Sequence, residues 1–184
     1  MDIKSINFLS SSFILNVQHK MNKKIIYVMG VSGCGKSTIG KLLAEELQYP
    51  FYDGDDFHPQ SNIDKMAGGA ALTDDDRWPW LGSINEFSKK EVLVKGAVIA
   101  CSALKESYRI KLSNGIVPHT EWVYLQGSFK QIYDRMKQRD HFMPPALLQS
   151  QFDTLEEPAD AITIDIGLTP EVIITDILAK LVSQ

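Results

Sequence analysis

The sequence predicts a three-layer α/β fold, a five-stranded parallel sheet with helices on both faces. Three features carry that reading: short unbroken apolar runs, amphipathic stretches between them, and a glycine-rich turn joining the first run to the first such stretch. The first run, Ile25 to Met29, ends in glycine and has the continuous apolar character of a strand buried on both faces. After the turn, Ile39, Leu42, Leu43 and Leu47 recur at helical spacing. A second strand is expected to end near Tyr52-Asp53, and runs at Ala97 to Cys101, Trp122 to Leu125 and Ala161 to Ile166 complete the set. The last helix has its start signals in Thr169 as N-cap, Pro170 in the first turn and Glu171 at the positive end of the helix dipole. Its apolar face is Ile173, Ile174, Ile177, Leu178 and Leu181.

A chain of 184 residues fits one domain. Met21 opens MNKKIIYVMG, which reads as a start feeding directly into the first strand. Residues 1–20 are therefore expected to be a poorly ordered N-terminal extension, and residues 21–184 the single domain. Within that extension the apolar stretch Phe13 to Val17 is far shorter than the ~20 residues of a membrane span, and the residues after it supply no small-residue cleavage site. A membrane partner and secretion are not expected. The net charge of -4 argues against a general nucleic-acid binder, which needs surplus Lys and Arg to displace counterions. Two cysteines, Cys34 and Cys101, fall in no metal-ligand or CxxC spacing, and a reducing cytoplasm is the expected compartment.

The segment Gly30-Val31-Ser32-Gly33-Cys34-Gly35-Lys36-Ser37, followed by Thr38, matches the P-loop pattern G-x-x-x-x-G-K-[ST]. Its glycines allow backbone N–H groups to turn onto phosphate oxygens, and the helix behind presents its positive end. Lys36 is expected on the β- and γ-phosphates of ATP and the Ser37 hydroxyl in the shell of a Mg²⁺ ion. The strand before the motif and the helix after it supply the context it requires. A P-loop does not say what accepts the phosphate.

Tyr52-Asp53-Gly54-Asp55-Asp56 falls where the second strand should end, at the carboxyl edge where open α/β sheets bind ligands. Two aspartates at i, i+2 on an extended segment point the same way. Asp53 is expected to orient Mg²⁺ and Asp55 to accept a hydrogen bond from an attacking hydroxyl, an arrangement suited to transfer to an alcohol.

Downstream stand His58-Pro59, Asn62, Lys65-Met66, Gly68 and Leu72-Thr73-Asp74-Asp75-Asp76-Arg77-Trp78-Pro79-Trp80-Leu81. Later come Cys101-Ser102-Ala103-Leu104-Lys105 with Tyr108-Arg109, Leu125-Gln126-Gly127, His141-Phe142-Met143-Pro144, and Ser150-Gln151-Phe152 with Leu155-Glu156 and Pro158. Together, in this order, they resemble the gluconokinase family pattern from Lys24 to about Leu181. Two departures, Ala70-Ala71 before Leu72 and Lys111 to Asn114, are expected to fall at helix ends.

That resemblance implies a P-loop kinase fold with a mobile lid around residues 135–146. It implies ATP-dependent phosphorylation of D-gluconate to 6-phospho-D-gluconate, feeding the pentose phosphate and Entner-Doudoroff routes, by a cytoplasmic homodimer. By similarity to shikimate kinases, Arg77 becomes the clamp for the gluconate carboxylate, a bidentate task suited to a guanidinium. His58, Lys105 and Gln151 become candidate polyol contacts. The lid supplies Arg139 to the transferring phosphoryl group, Arg135 packs near adenine and Pro170 covers the other face of the base. Trp78 and Trp80 are expected to be packing residues. Two rival readings are a kinase for another hydroxy acid such as shikimate, and a nucleotide-binding regulatory module without turnover.

Overall fold

The computed structural model describes residues 11–137 and 145–183. Five strands, β1 (Lys24–Met29), β2 (Phe51–Asp53), β3 (Gly96–Ala100), β4 (Thr120–Gln126) and β5 (Ile162–Asp165), form one sheet in the order β2-β3-β1-β4-β5. Every neighbouring pair is parallel. Because β1 pairs with both β3 and β4, the strand order reverses around it. The crevice beyond the carboxyl ends of these strands is where such a sheet receives ligands.

Eight helices surround the sheet among the described residues: α1 (Ser11–Lys20), α2 (Lys36–Leu47), α3 (Gln60–Ala67), α4 (Asp74–Val94), α5 (Glu106–Ser113), α6 (Phe129–Lys137), α7 (Pro145–Thr154) and α8 (Pro170–Ser183). Alternate side chains of β1 feed two separate cores. Ile26 and Val28 pack with Leu43 of α2, Ile132 of α6 and Ile174 and Ile177 of α8. Ile25, Tyr27 and Met29 pack with Leu81 and Ile84 of α4 and Leu112 of α5. Burial on both faces explains why β1 reads as an unbroken apolar run. All five residues expected on the apolar face of α8 are buried.

The N-terminal extension departs from its expected disorder over Ser11–Lys20, which is helical. Phe13, Ile14, Val17 and Met21 recur at helical spacing, so a run too short for a membrane still makes an apolar stripe. Val17 is 0% and Met21 2% exposed. Polar ties complete the docking: Gln18 Nε2 donates to the Glu46 carbonyl at 2.8 Å, Lys20 Nζ to the Val182 carbonyl at 2.6 Å, and the Tyr49 hydroxyl to the Met21 carbonyl. Among the described residues no helix is long and apolar enough to cross a membrane.

Candidate functional site

The loop between β1 and α2 turns its backbone inward through Gly30, Gly33 and Gly35, with φ of 138°, 82° and 108°. L side chains rarely adopt these angles. At Gly30 a Cβ would also stand 2.9 Å from the Leu125 carbonyl oxygen, and at Gly33 2.6 Å from Cγ of Met136. The loop thus closes against β4 and α6. Cys34 is buried beneath it, and burial pushes its thiol up despite the lowering influence of Lys36. Lys36 Nζ donates to the Val31 carbonyl at 3.1 Å, folding back over its own loop.

Ser37 Oγ donates to Asp53 Oδ2 at 2.8 Å, joining α2 to the end of β2. The other Asp53 oxygen accepts the Asp55 backbone N–H at 3.2 Å and so caps the 3-10 turn Gly54–Phe57. The expected pairing of two carboxylates on one extended segment is therefore replaced by a division. Asp53 ends the strand and faces Ser37, while Asp55 rides the turn and lines the cleft. The Asp55 side chain is 83% exposed, open to the cleft mouth. Its carboxyl is raised above the usual range, by partial withdrawal from water between the cleft walls and then by the Asp53 charge. With that exposure the desolvating contribution acts fully only when the cleft is filled.

The cleft encloses about 380 Å³. Ser32 and Lys36 form one wall, Met66 and Gly69 to Leu72 with Arg77 and Trp80 a second wall, and Asp55, His58, Ser102, Leu104, Tyr108, Leu147, Ser150, Gln151 and Thr154 the remainder. Ala70 and Ala71 lie at the helix end as expected, the Ala70 N–H donating to the Lys65 carbonyl at 3.1 Å, and they border the ligand space as well. Trp80 was expected only to pack. It is 2% exposed, its Nε1 donates to the Gly54 carbonyl at 2.7 Å, and the His58 ring stacks on it at 4.2 Å. Burial lowers the His58 pKa, Asp55 opposes this, and Arg77 adds to it.

Behind the second wall, Asp74 gathers Lys105 Nζ at 2.7 Å and the Tyr108 hydroxyl at 2.5 Å, with Arg77 Nη1 3.7 Å away. The Lys105 hydrogen bond, then that of Tyr108, holds the Asp74 carboxyl below the usual range. Arg77 borders the cleft, whereas Lys105 is engaged with Asp74 and is not among the lining residues. Sequence reasoning gave Tyr108 and Arg109 no role. Arg109 Nη1 donates to the carbonyls of Ala103 and Leu104 at 3.0 and 3.2 Å. This holds a loop in which buried Ala103 has φ 45°, a strained non-glycine conformation beside the cleft-lining Ser102. Nothing in the local sequence marks that strain.

Gln151 on α7 reaches the phosphate loop, its Oε1 accepting from Ser32 N at 2.7 Å. Arg135 on α6 donates to the Ile166 carbonyl, four residues before Pro170 opens α8, so both residues expected near adenine border the β5–α8 connection. Arg139, His141 and most of the expected lid lie outside the described residues. Among the described residues no group of three or more His, Cys, Asp and Glu could hold a metal. The Ser37 hydroxyl and Asp53 carboxylate are hard oxygen donors. They fit Mg²⁺, which is commonly held by one or two protein oxygens, phosphates and waters rather than by an all-protein cage.

The shikimate kinase family model matches residues 32–180. A gluconokinase of Arabidopsis thaliana is 42% identical over 89% of this chain and 95% of its own. A thermosensitive gluconokinase of Escherichia coli K12 is 46% identical over 76% of this chain and 78% of its own. The crystal structure of a gluconokinase from Sinorhizobium meliloti 1021 superposes with a TM-score of 0.81 at 44% identity, covering 88% of this chain and 93% of that one. A shikimate kinase from Aquifex aeolicus, 20% identical with a TM-score of 0.56, shares the fold.

Proposed function

The chain belongs to the gluconokinase family, and from that premise we propose that it transfers the γ-phosphoryl group of ATP to the terminal hydroxyl of D-gluconate, giving 6-phospho-D-gluconate. The observation that carries this reading is the convergence of Lys36, Asp55 and Arg77 on one cleft beyond the carboxyl ends of the strands. It joins a phosphate-facing ammonium, a carboxylate for a hydroxyl and a guanidinium for a carboxylate.

ATP supplies the phosphoryl group, and Ser37 and Asp53 would hold a Mg²⁺ ion that would balance its charge. Asp55 accepts the hydrogen bond of the attacking hydroxyl and takes its proton as the new P–O bond forms. Lys36 leaves the Val31 carbonyl for the phosphates, and Arg139 is assigned to the transferring group. Arg77 binds the gluconate carboxylate, with Asp74, Lys105 and Tyr108 fixing its wall of the cleft. His58 and Gln151 contact the polyol. Arg135 and Pro170 flank the adenine. We place the enzyme in the cytoplasm as a homodimer with no nucleic-acid or membrane partner. Two unpaired buried thiols support a reducing compartment, and light scattering tests the assembly.

The test is ADP release from Mg·ATP across a panel of sugar acids and shikimate, followed by locating the phosphate on the product. Gluconate-dependent release with phosphate on the terminal carbon is expected. Turnover preferring shikimate, or none with any hydroxy acid, sinks the reading and favours another acceptor or a regulatory module.

A further inference from the structure

Asn62, on α3, is 3% exposed and touches two fixed groups. Its Nδ2 lies 2.8 Å from the backbone carbonyl oxygen of Asp76 and 3.2 Å from Nδ1 of His58. A carbonyl oxygen can only accept, so the amide nitrogen and not the amide oxygen must face Asp76. That contact removes the ordinary ambiguity in orienting an Asn side chain. The Asp76 carbonyl is itself held in place. The Asp76 side chain closes a capping box with Thr73 at the start of α4 and meets Lys65 Nζ at 2.5 Å.

The second proton of the same NH₂ group faces His58 Nδ1, which must accept it. A neutral imidazole that accepts at Nδ1 carries its proton on Nε2. His58 Nε2 lies 3.9 Å from Asp55 Oδ1, too far for a direct hydrogen bond. An alcohol oxygen placed between them can stand about 2.8 Å from both, accepting from one and donating to the other.

We propose that Asn62 is a positioning residue, which holds His58 in the Nε2–H tautomer so that the substrate hydroxyl accepts from His58 and must send its proton to Asp55. The hydroxyl's remaining lone pair is then left for phosphorus. The tautomer follows from the contacts of Asn62 alone, whereas its catalytic consequence rests on the gluconate reading. The charged groups acting on His58 are Asp55 on the 3-10 turn and Arg77 on α4, and burial dominates both in keeping the ring neutral near pH 7.

Long-range ¹H–¹⁵N correlation spectra of the full chain at pH 7.5, with His58 assigned by its loss in His58→Gln, read the tautomer directly. A protonated Nε2 and bare Nδ1 are expected, and a protonated Nδ1 overturns the proposal. In Asn62→Asp a carboxylate accepts from Nδ1–H, so the neutral ring takes the Nδ1–H tautomer by proton exchange with water and Nε2 is left bare. Turnover of gluconate should fall about tenfold at pH 8, the worth of one hydrogen bond, and recover on acidification as the imidazolium regains Nε2–H. A loss independent of pH, or no loss, overturns the catalytic half. Should the wild-type chain phosphorylate no gluconate, the substrate reading fails and the spectra alone decide the tautomer.

Discussion

The carboxamide of Gln151 holds Ser32 at two points: Oε1 accepts from the backbone N–H at 2.7 Å and Nε2 donates to the hydroxyl at 3.1 Å. Backbone N–H groups of such a loop are the donors that bind phosphate. α7, on the acceptor side, therefore occupies a donor that nucleotide would use. Gln151→Ala should tighten ATP binding without gluconate by roughly twofold to tenfold, the net worth of one hydrogen bond. Calorimetric titration measures it, and weaker ATP binding in the variant would show that Gln151 supports the nucleotide instead.

Asp53 and Asp55 should separate kinetically, since one faces Ser37 and the other the cleft. Asp55→Asn removes the proton acceptor, and kcat should fall by about 10² to 10⁴ with little change in the KM for gluconate. Asp53→Asn should recover part of its lost activity as Mg²⁺ is raised. If magnesium restores the Asp55 variant and not the other, the two roles are exchanged.

Deleting residues 1–20 should lower the melting temperature while sparing activity at 25 °C. α1 leads into the amino end of β1 and packs on α2 and α8, away from the cleft. Losing the burial of Val17 costs about 1.5–3 kcal/mol, and losing the Gln18 and Lys20 hydrogen bonds about 1 kcal/mol each. At ~2–4 °C per kcal/mol for a chain of this size, a fall of roughly 7–20 °C in calorimetry follows. An unchanged transition would show that the helix adds nothing to the fold.

Neither cysteine should react with iodoacetamide at pH 8 in the native protein. Burial raises the Cys34 thiol and pushes Cys101 up to about 12, so the reactive thiolate is scarce at both. Mass spectrometry should find alkylation only after denaturation. Rapid native labelling of Cys34 would mean that the phosphate loop opens far more often than its packing implies.

Much of this site is legible in sequence because its constraints are local. A strand, three glycines at fixed offsets, a lysine and a helix lie within one stretch, and the structure keeps them adjacent. The aspartate pair was legible in composition but not in geometry, because a hydrogen bond from Asp55 N to Asp53 turns an extended segment into a 3-10 turn. The contacts of Trp80 and Arg109 were not legible for another reason. What they do depends on Gly54, His58, Ala103 and Leu104, brought near by the fold, and an apolar or basic residue on a helix carries no mark of such partners. The docking of α1 was hidden likewise, its receiving surface being built from α2 and α8.

The two cores on opposite faces of the sheet both anchor the cleft, so the donor and acceptor sides share their supports. Val31, Cys34 and Ile39, which seat the phosphate loop and the helix behind it, lie in one core, while Trp80 and Tyr108, which border the acceptor cleft, lie in the other. Leu104, which lines the cleft, and Leu148 of α7 belong to the phosphate-loop core, so rebuilding the cleft for a new hydroxy acid would disturb the support of the phosphate loop as well. Leu155 packs against both cores, and a change there is felt by both at once.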